Sequence, residues 1–200
     1  MRELAALRPR RVLDAGCGTG DITERVRAAV DPGWVVGIDL SPRMVTLTRD
    51  RGVPALVADL DELPFSDSWF DAVLANRVLY HLPDPGRGIA SLRRVVRQGG
   101  TLVVVLYRRC HLSELWEQLR RPLWGPDDVV AETGEVLLRA QFSDVERIDI
   151  TQAVTWSHRA DLEAYLSSYE SFAGQDLAAL LPEVPLPFHG TGAYGILVGR

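Results

Sequence analysis

Seven residues, Asp14-Ala15-Gly16-Cys17-Gly18-Thr19-Gly20, constrain this 200-residue chain more than any other stretch. They follow a strand-like apolar run, Arg11-Val12-Leu13-Asp14-Ala15. They precede Asp21 to Val30, where Ile22, Val26 and Val30 recur on one helical face. Glycines between a buried strand and a helix let a ligand approach the backbone closely. The helix N-terminus adds unpaired N–H groups and partial positive charge, which suit a carboxylate or a phosphate. The spacing is G-x-G-x-G, whereas the dinucleotide fingerprint is G-x-G-x-x-G, so a nicotinamide-dependent oxidoreductase is disfavoured. Asp14 stands two positions ahead of the first glycine, where a carboxylate can pair with a cationic amino group that dinucleotides lack.

The same strand-to-helix rhythm continues. Trp34 to Asp39 reads as a second strand, and Ser41-Pro42 as a helix start with Ser as cap and Pro at the first helical position. Ala55 to Ala58 is a short third strand, Phe70 to Ala75 a fourth, Pro85 to Val96 a helix ended by Gln98-Gly99-Gly100, and Thr101 to Tyr107 a fifth strand. Strand and helix alternating in this way predict right-handed βαβ units. The later part is less regular. Pro126 to Ala140 predicts a helix with Asp127 and Asp128 in its first turn. Val145 to Ile150 predicts a sixth strand, Ala160 to Ser171 and Asp176 to Leu181 two helices, and Ala193 to Val198 a final strand pairing antiparallel with the sixth. The expected fold is α/β: a Rossmann-like, doubly wound, mostly parallel seven-stranded sheet with the last strand antiparallel, in three αβα layers. We expect one domain over residues 1–200, with a ligand-binding half at 10–107 and a variable half at 108–200 carrying a helical insertion at 151–190.

Composition removes several chemistries. All 22 basic side chains are Arg, so Schiff-base lysine catalysis and the lysine-dependent phosphate loop are excluded. The net charge of −5 argues against nucleic acid, although Arg8, Arg10 and Arg11 cluster near the start. Cys17 and Cys110 are no disulfide framework and fit a reducing cytoplasm. No apolar run approaches the roughly 18 residues of a membrane span, and no His/Cys/Asp cluster has metal-ligand spacing.

Acidic residues end the next strands. Asp39, 19 residues after Gly20, can accept hydrogen bonds from both hydroxyls of a ribose. Asp59 can accept from an exocyclic amine, or belong with Asp61 and Glu62 to a solvated acidic loop. Val12 to Gly20 resembles the first motif of the class I S-adenosylmethionine-dependent methyltransferases, and Val36 to Met44 the second. Asp59 with Leu63-Pro64-Phe65, and Phe70 to Val73, are similar to the third and fourth; Val95 to Thr101 resembles the loop before the fifth strand. The resemblance spans about residues 10 to 107 and is nearest the small-molecule enzymes of the ubiquinone and menaquinone type.

The resemblance implies S-adenosyl-L-methionine as cofactor and a small organic molecule, such as a secondary metabolite, as methyl acceptor. Gly16, Cys17 and Gly18 would carry the methionine part, with Asp14 near its amino group. Asp39 would bind the ribose, Leu40 and Met44 would pack on the adenine, and Asp59 and the Leu60 backbone would meet its edge. Asn76 would lie near the sulfonium. Tyr80 and His81 follow the fourth strand; His81 suits a general base, or else packs or caps. His111, after the fifth strand, is a further candidate. Relatives carry a few dozen residues ahead of the first strand that cover the cofactor, whereas eleven precede Val12 here. Residues 151 to 190, with Trp156, Tyr165, Tyr169, Phe172 and Phe188, are expected to supply a lid or to fill the core; a homodimer partner is a further way to complete the site. A non-methylating enzyme or a cofactor-binding regulatory subunit on the same fold, and RNA methylation, are the alternatives.

Overall fold

The computed structural model describes residues 8–30, 33–120, 122–125, 127–167, 177, 181 and 184–200. Five parallel strands form one side of the sheet: β1 (Arg11–Ala15), β2 (Trp34–Asp39), β3 (Ala55–Val57), β4 (Phe70–Asn76) and β5 (Val96–Tyr107). β6 (Val145–Trp156) and β7 (Phe188–Gly199) complete seven strands in the order β3-β2-β1-β4-β5-β7-β6, and β7 runs antiparallel to both its neighbours. The helices are α1 (Asp21–Ala29), α2 (Pro42–Asp50), α3 (Pro85–Val95), α4 (Ser113–Gln118), α5 (Ala131–Arg139) and α6 (Arg159–Leu166), with single 3-10 turns at Leu60–Glu62 and Leu79–His81.

Strand alternation sorts the apolar residues into two layers. On one face Leu13, Ile38, Val73, Leu102, Val104 and Leu106 pack against Ile89 and Leu92 of α3 and Leu138 of α5. On the other, Val12, Val35, Ala72, Leu74 and Val103 pack against Val26 of α1. β1 is buried on both faces, as its uninterrupted run requires. Asp14 has the parity of Val12, so it faces α1 rather than the larger core, which places it beside Thr23.

The boundaries differ from expectation in three places. The helix expected from Pro126 begins at Ala131, so Asp127 and Asp128 lie outside its first turn. Asp128 instead closes a turn by accepting from Gly125 N at 2.6 Å, and the helix start is capped by Thr133, whose hydroxyl takes the Val130 N–H. Gln98-Gly99-Gly100 lies inside β5 as an irregularity: Phe70 pairs with Val96 but Ala72 with Thr101, and Gly99 holds φ 69°. β6 and β7 each run past their expected lengths, pairing as far as Trp156 opposite Phe188, where the two rings stack at 5.8 Å. The expected helical insertion at 151–190 therefore opens and closes within strand, with β6 running to Trp156 and β7 starting at Phe188.

Three aromatic residues of that segment, Trp156, Tyr165 and Phe188, belong to a separate core. Trp156 packs on Tyr165 at 4.9 Å and on Phe188, among Leu112, Leu115, Leu162 and Leu166. Tyr169 and Phe172 lie outside the described residues, as does most of the helix expected at Asp176 to Leu181.

Candidate active site

β1, β2 and β4 end side by side, and the loops that leave them enclose a cleft made of two joined cavities. The first, of about 330 Å³, is lined by Asp14, the glycine turn, Asp39, and Asn76 to Val78 with Tyr80 and His81. The second, of about 480 Å³, is lined by Leu40, Ser41, Asp59, Leu60 and Leu82. They share Gly16, Asp39, Val78 and His81 as a common wall. A crevice at the carboxyl ends of parallel strands is where open α/β sheets bind ligands.

The glycine turn is held from β2. Gly16 N and Cys17 N both donate to Ile38 O at 2.8 Å. Gly16 adopts φ 77°, and a Cβ on it would stand 2.5 Å from Val78 Cγ2, so this wall has no room for a side chain. Gly18, at φ 55°, is the reverse case: a Cβ there would meet nothing within 4 Å, because that side of the turn opens outward.

Asp39 ties the two cavities together. Its Oδ2 accepts from Gly18 N and its Oδ1 from Ser41 N, both at 2.9 Å. Each carboxylate oxygen keeps a lone pair for a further donor, so paired hydroxyls can add to these bonds without displacing them. Asp59 accepts from Asp61 N at 2.9 Å, which caps the 3-10 turn and brings the Leu60 backbone to the cavity wall while its side chain stays buried. Leu40 is 68% exposed, an unusual position for a leucine and one that offers an apolar face to a planar ligand. Met44 is half-buried on α2 and lines neither cavity.

Asp14 is the most perturbed acid. It is 1% exposed, and Thr23 Oγ1 donates to its Oδ2 at 2.6 Å. Its Oδ1 has no hydrogen-bond partner among the described residues. Burial, with a smaller contribution from Asp39, pushes its pKa up to about 6. A buried carboxylate oxygen left without a donor at a cavity wall fits a ligand that brings a cation. The thiol of Cys17 is pushed up to about 11 by burial and accepts from Thr48 Oγ1 at 3.4 Å, so it stays protonated and packs rather than reacts.

The three candidate proton carriers are placed differently. His81 is exposed at the wall shared by both cavities. Tyr80 is half-buried beside it, ring centroids 4.5 Å apart. Burial and the neighbouring Tyr107 raise its pKa, so it is a donor and not a base. His111 does not reach the cleft. It is 2% exposed, with Nδ1 3.0 Å from Ala193 N and Nε2 3.3 Å from Tyr165 OH, and burial lowers its pKa to about 4. The strand-end position expected to aim it at ligand instead buries it against β7 and α6.

Arg77 and Val78 also line the first cavity and escaped the sequence reading. Their signal was position alone, directly after the strand-ending Asn76. Among the described residues no group of His, Cys, Asp and Glu could hold a metal, and no helix is long and apolar enough to cross a membrane.

Residues 13–104 match the methyltransferase domain family. The ubiquinone/menaquinone biosynthesis C-methyltransferase UbiE of Burkholderia mallei is 35% identical over 118 residues, covering 56% of this chain and 46% of that protein. The chain spans less than half the length of the curated relatives it matches first. Among solved structures, a protein of Bacillus halodurans C-125 superposes with TM-score 0.67 at 18% identity, covering 100% of this chain and 99% of that one. An S-adenosylmethionine-dependent methyltransferase of Thermotoga maritima does so with TM-score 0.60 at 19% identity, covering 94% and 81%.

Proposed function

By family and fold this chain resembles the class I S-adenosylmethionine-dependent methyltransferases, and on that premise we propose that it transfers a methyl group to a small organic acceptor. The observation that carries the reading is Asp14, a buried carboxylate with one oxygen unpartnered at the wall of the cleft. Bound there, S-adenosylmethionine supplies a methyl group already activated on a cationic sulfonium. The residues present fit it. Asp14 takes the amino group, the Gly16–Gly18 turn gives close backbone approach, and Asp39 takes paired hydroxyls. Leu40, Asp59 and the Leu60 backbone surround a flat base in the second cavity.

The chain's own contribution is positioning and proton handling. A nucleophile held in line gains more from fixed geometry than from any single group. Asn76, at the end of β4, borders the space where transfer would occur. His81, at the shared wall, would accept the proton released when the acceptor is a hydroxyl or amine. Tyr80, kept neutral, would orient the acceptor through its O–H.

Calorimetric titration of the full chain with S-adenosylhomocysteine, followed by labelled-methyl transfer to a panel of small acceptors, tests the proposal. Micromolar binding that is lost in Asp39→Ala, with transfer slowed about 100-fold or more in His81→Gln at unchanged affinity, is the expected result. No binding of the product or of S-adenosylmethionine would overturn it.

A further inference from the structure

The first cavity changes character toward β5. Three carboxylates, Asp14, Asp21 and Asp39, line it on the β1 and β2 side, and Arg77 is the one arginine among its described lining residues. Arg77 is held in a left-handed conformation, φ 54°, by its N–H donating to Val105 O at 2.8 Å. That conformation is uncommon outside glycine and costs energy, and such residues concentrate at functional sites. That bond ties the backbone of Arg77 to β5, and its guanidinium reaches Tyr107 at the end of the same strand.

The guanidinium is poorly supplied with partners. Its Nη1 donates to Tyr107 OH at 3.2 Å, and no carboxylate among the described residues forms an ion pair with it. By contrast Arg51, Arg94, Arg97 and Arg147 all hold carboxylates at 3.1 Å or closer. A guanidinium has five N–H donors in a planar fork that matches a carboxylate. The rings beside Arg77 form a cluster: Tyr80 stacks on Tyr107 at 5.9 Å, and Tyr107 meets Trp124 at 5.8 Å and Tyr194 at 5.5 Å with tilted rings. Tyr80 presents this wall to the cavity. A cation with spare donors beside a neutral aromatic surface is a site for a planar acid.

We propose that Arg77 anchors a carboxylate of the methyl acceptor, and that the acceptor is a small aromatic acid lying against Tyr80. The proposal rests on the methyl-transfer reading. The chemistry at Arg77, a carboxylate, has a second source in the methionine end of the cofactor. The acceptor is favoured because Arg77 is tied to β5 and the Tyr107 cluster, whereas the groups that suit the cofactor's cation sit on β1 and β2.

The test uses the full chain, with and without saturating S-adenosylhomocysteine, and two probes of equal shape, 4-hydroxybenzoate and 4-hydroxybenzamide. Affinities are measured by calorimetry for the wild type, Arg77→Gln and Arg77→Lys. The acid is expected to bind at least tenfold more tightly than the amide in the wild type. Arg77→Gln should abolish that preference, Arg77→Lys should keep part of it, and both should bind S-adenosylhomocysteine within twofold of wild type. Equal binding of acid and amide to the wild type, no binding of either, or an unchanged preference in Arg77→Gln overturns the proposal. A tenfold loss of S-adenosylhomocysteine affinity in Arg77→Gln also overturns it, by assigning the carboxylate to the cofactor. Should Arg77→Gln fail to fold, the wild-type contrast and Arg77→Lys still decide. Failure of S-adenosylhomocysteine to bind the wild type would remove the methyl-transfer reading, while the acid-to-amide contrast without it still judges Arg77 separately.

Discussion

Acidification from pH 7.5 to pH 5 should weaken S-adenosylhomocysteine binding about tenfold, through one residue. Asp14 has a pKa near 6 in the free protein, and its unpartnered Oδ1 is placed for a cation. At pH 7.5 nearly all molecules carry the charged form; at pH 5 about one in eleven does, so the dissociation constant rises by roughly that factor. Asp14→Asn removes the charge and keeps an oxygen to accept from Thr23. It should bind about 10- to 100-fold more weakly at pH 7.5, the loss of one charged hydrogen bond, and show no slope between pH 5 and pH 7.5. The free protein should behave in the opposite sense. A carboxylate whose pKa is raised on folding costs stability once ionised, so its cost appears as pH rises from about 4 to above 6 and amounts to about 3 kcal/mol at pH 7. Asp14→Asn should recover part of this, less about 1–3 kcal/mol for the unpartnered amide N–H it introduces. Calorimetry at four pH values with both proteins is the assay. Asp21, Asp39, Arg77 and His81 line the same cavity, and a pH dependence owed to any of them would persist in Asp14→Asn, so that variant isolates the part due to Asp14. A flat wild-type profile, or a slope that survives in Asp14→Asn, would refute the reasoning.

Gly16→Ala should abolish cofactor binding and lower stability by about 1–3 kcal/mol, read by thermal unfolding, because its Cβ would stand 2.5 Å from Val78 Cγ2 at a positive φ. Gly195→Ala is the control: its Cβ would collide with Ala131 Cβ and cost a similar amount, yet S-adenosylhomocysteine affinity should stay within twofold. His111 has a pKa lowered to about 4, so its stabilising effect is complete above pH 6.5 and is lost as pH falls toward 4, by about 3 kcal/mol. Urea unfolding of His111→Gln should show lower stability at pH 7 and a shallower acid loss than wild type. Tyr80→Phe should leave the pH profile of transfer unchanged up to pH 9, since the phenol is already held neutral; a lost alkaline limb would return it to candidacy as a base.

What was legible in the sequence followed local rules. The β1 turn, Asp39 and the Ser41-Pro42 helix start are set by neighbours in the chain, and Ser41 does accept from Met44 N at 3.4 Å. The ends of β6 and β7 were not legible, because their extra length comes from mutual pairing across the sheet, such as Thr155 opposite His189. Asp127 and Asp128 carried the composition of a helix start, but a turn at Gly125 claimed Asp128 first. His111 and His81 look alike as histidines after parallel strands. Only packing distinguishes them, since one is covered by β7 and α6 and the other borders open space. Arg77 was invisible for a related reason. Its interest comes from forming no ion pair with any carboxylate among the described residues, although three line the same cavity, and a missing ion pair leaves no mark in sequence.

The placement of β7 between β5 and β6 also fixes an order of assembly. β1 to β5 can pair with one another as soon as they are made, because every partner within that half precedes Arg108 in the chain. β6 has no pairing partner until β7 exists: Val145 waits for Gly199, and Leu102 waits for the same residue from the other side. The β5–β7 pairing spans more of the chain than any other in the sheet, and such non-local pairing is slow relative to local contacts. The cofactor-binding half is thus expected to form early during synthesis while β5 keeps an open edge. Closing that edge is the final act, and a ligand seated early in the cleft would hold the first half together while the rest arrives.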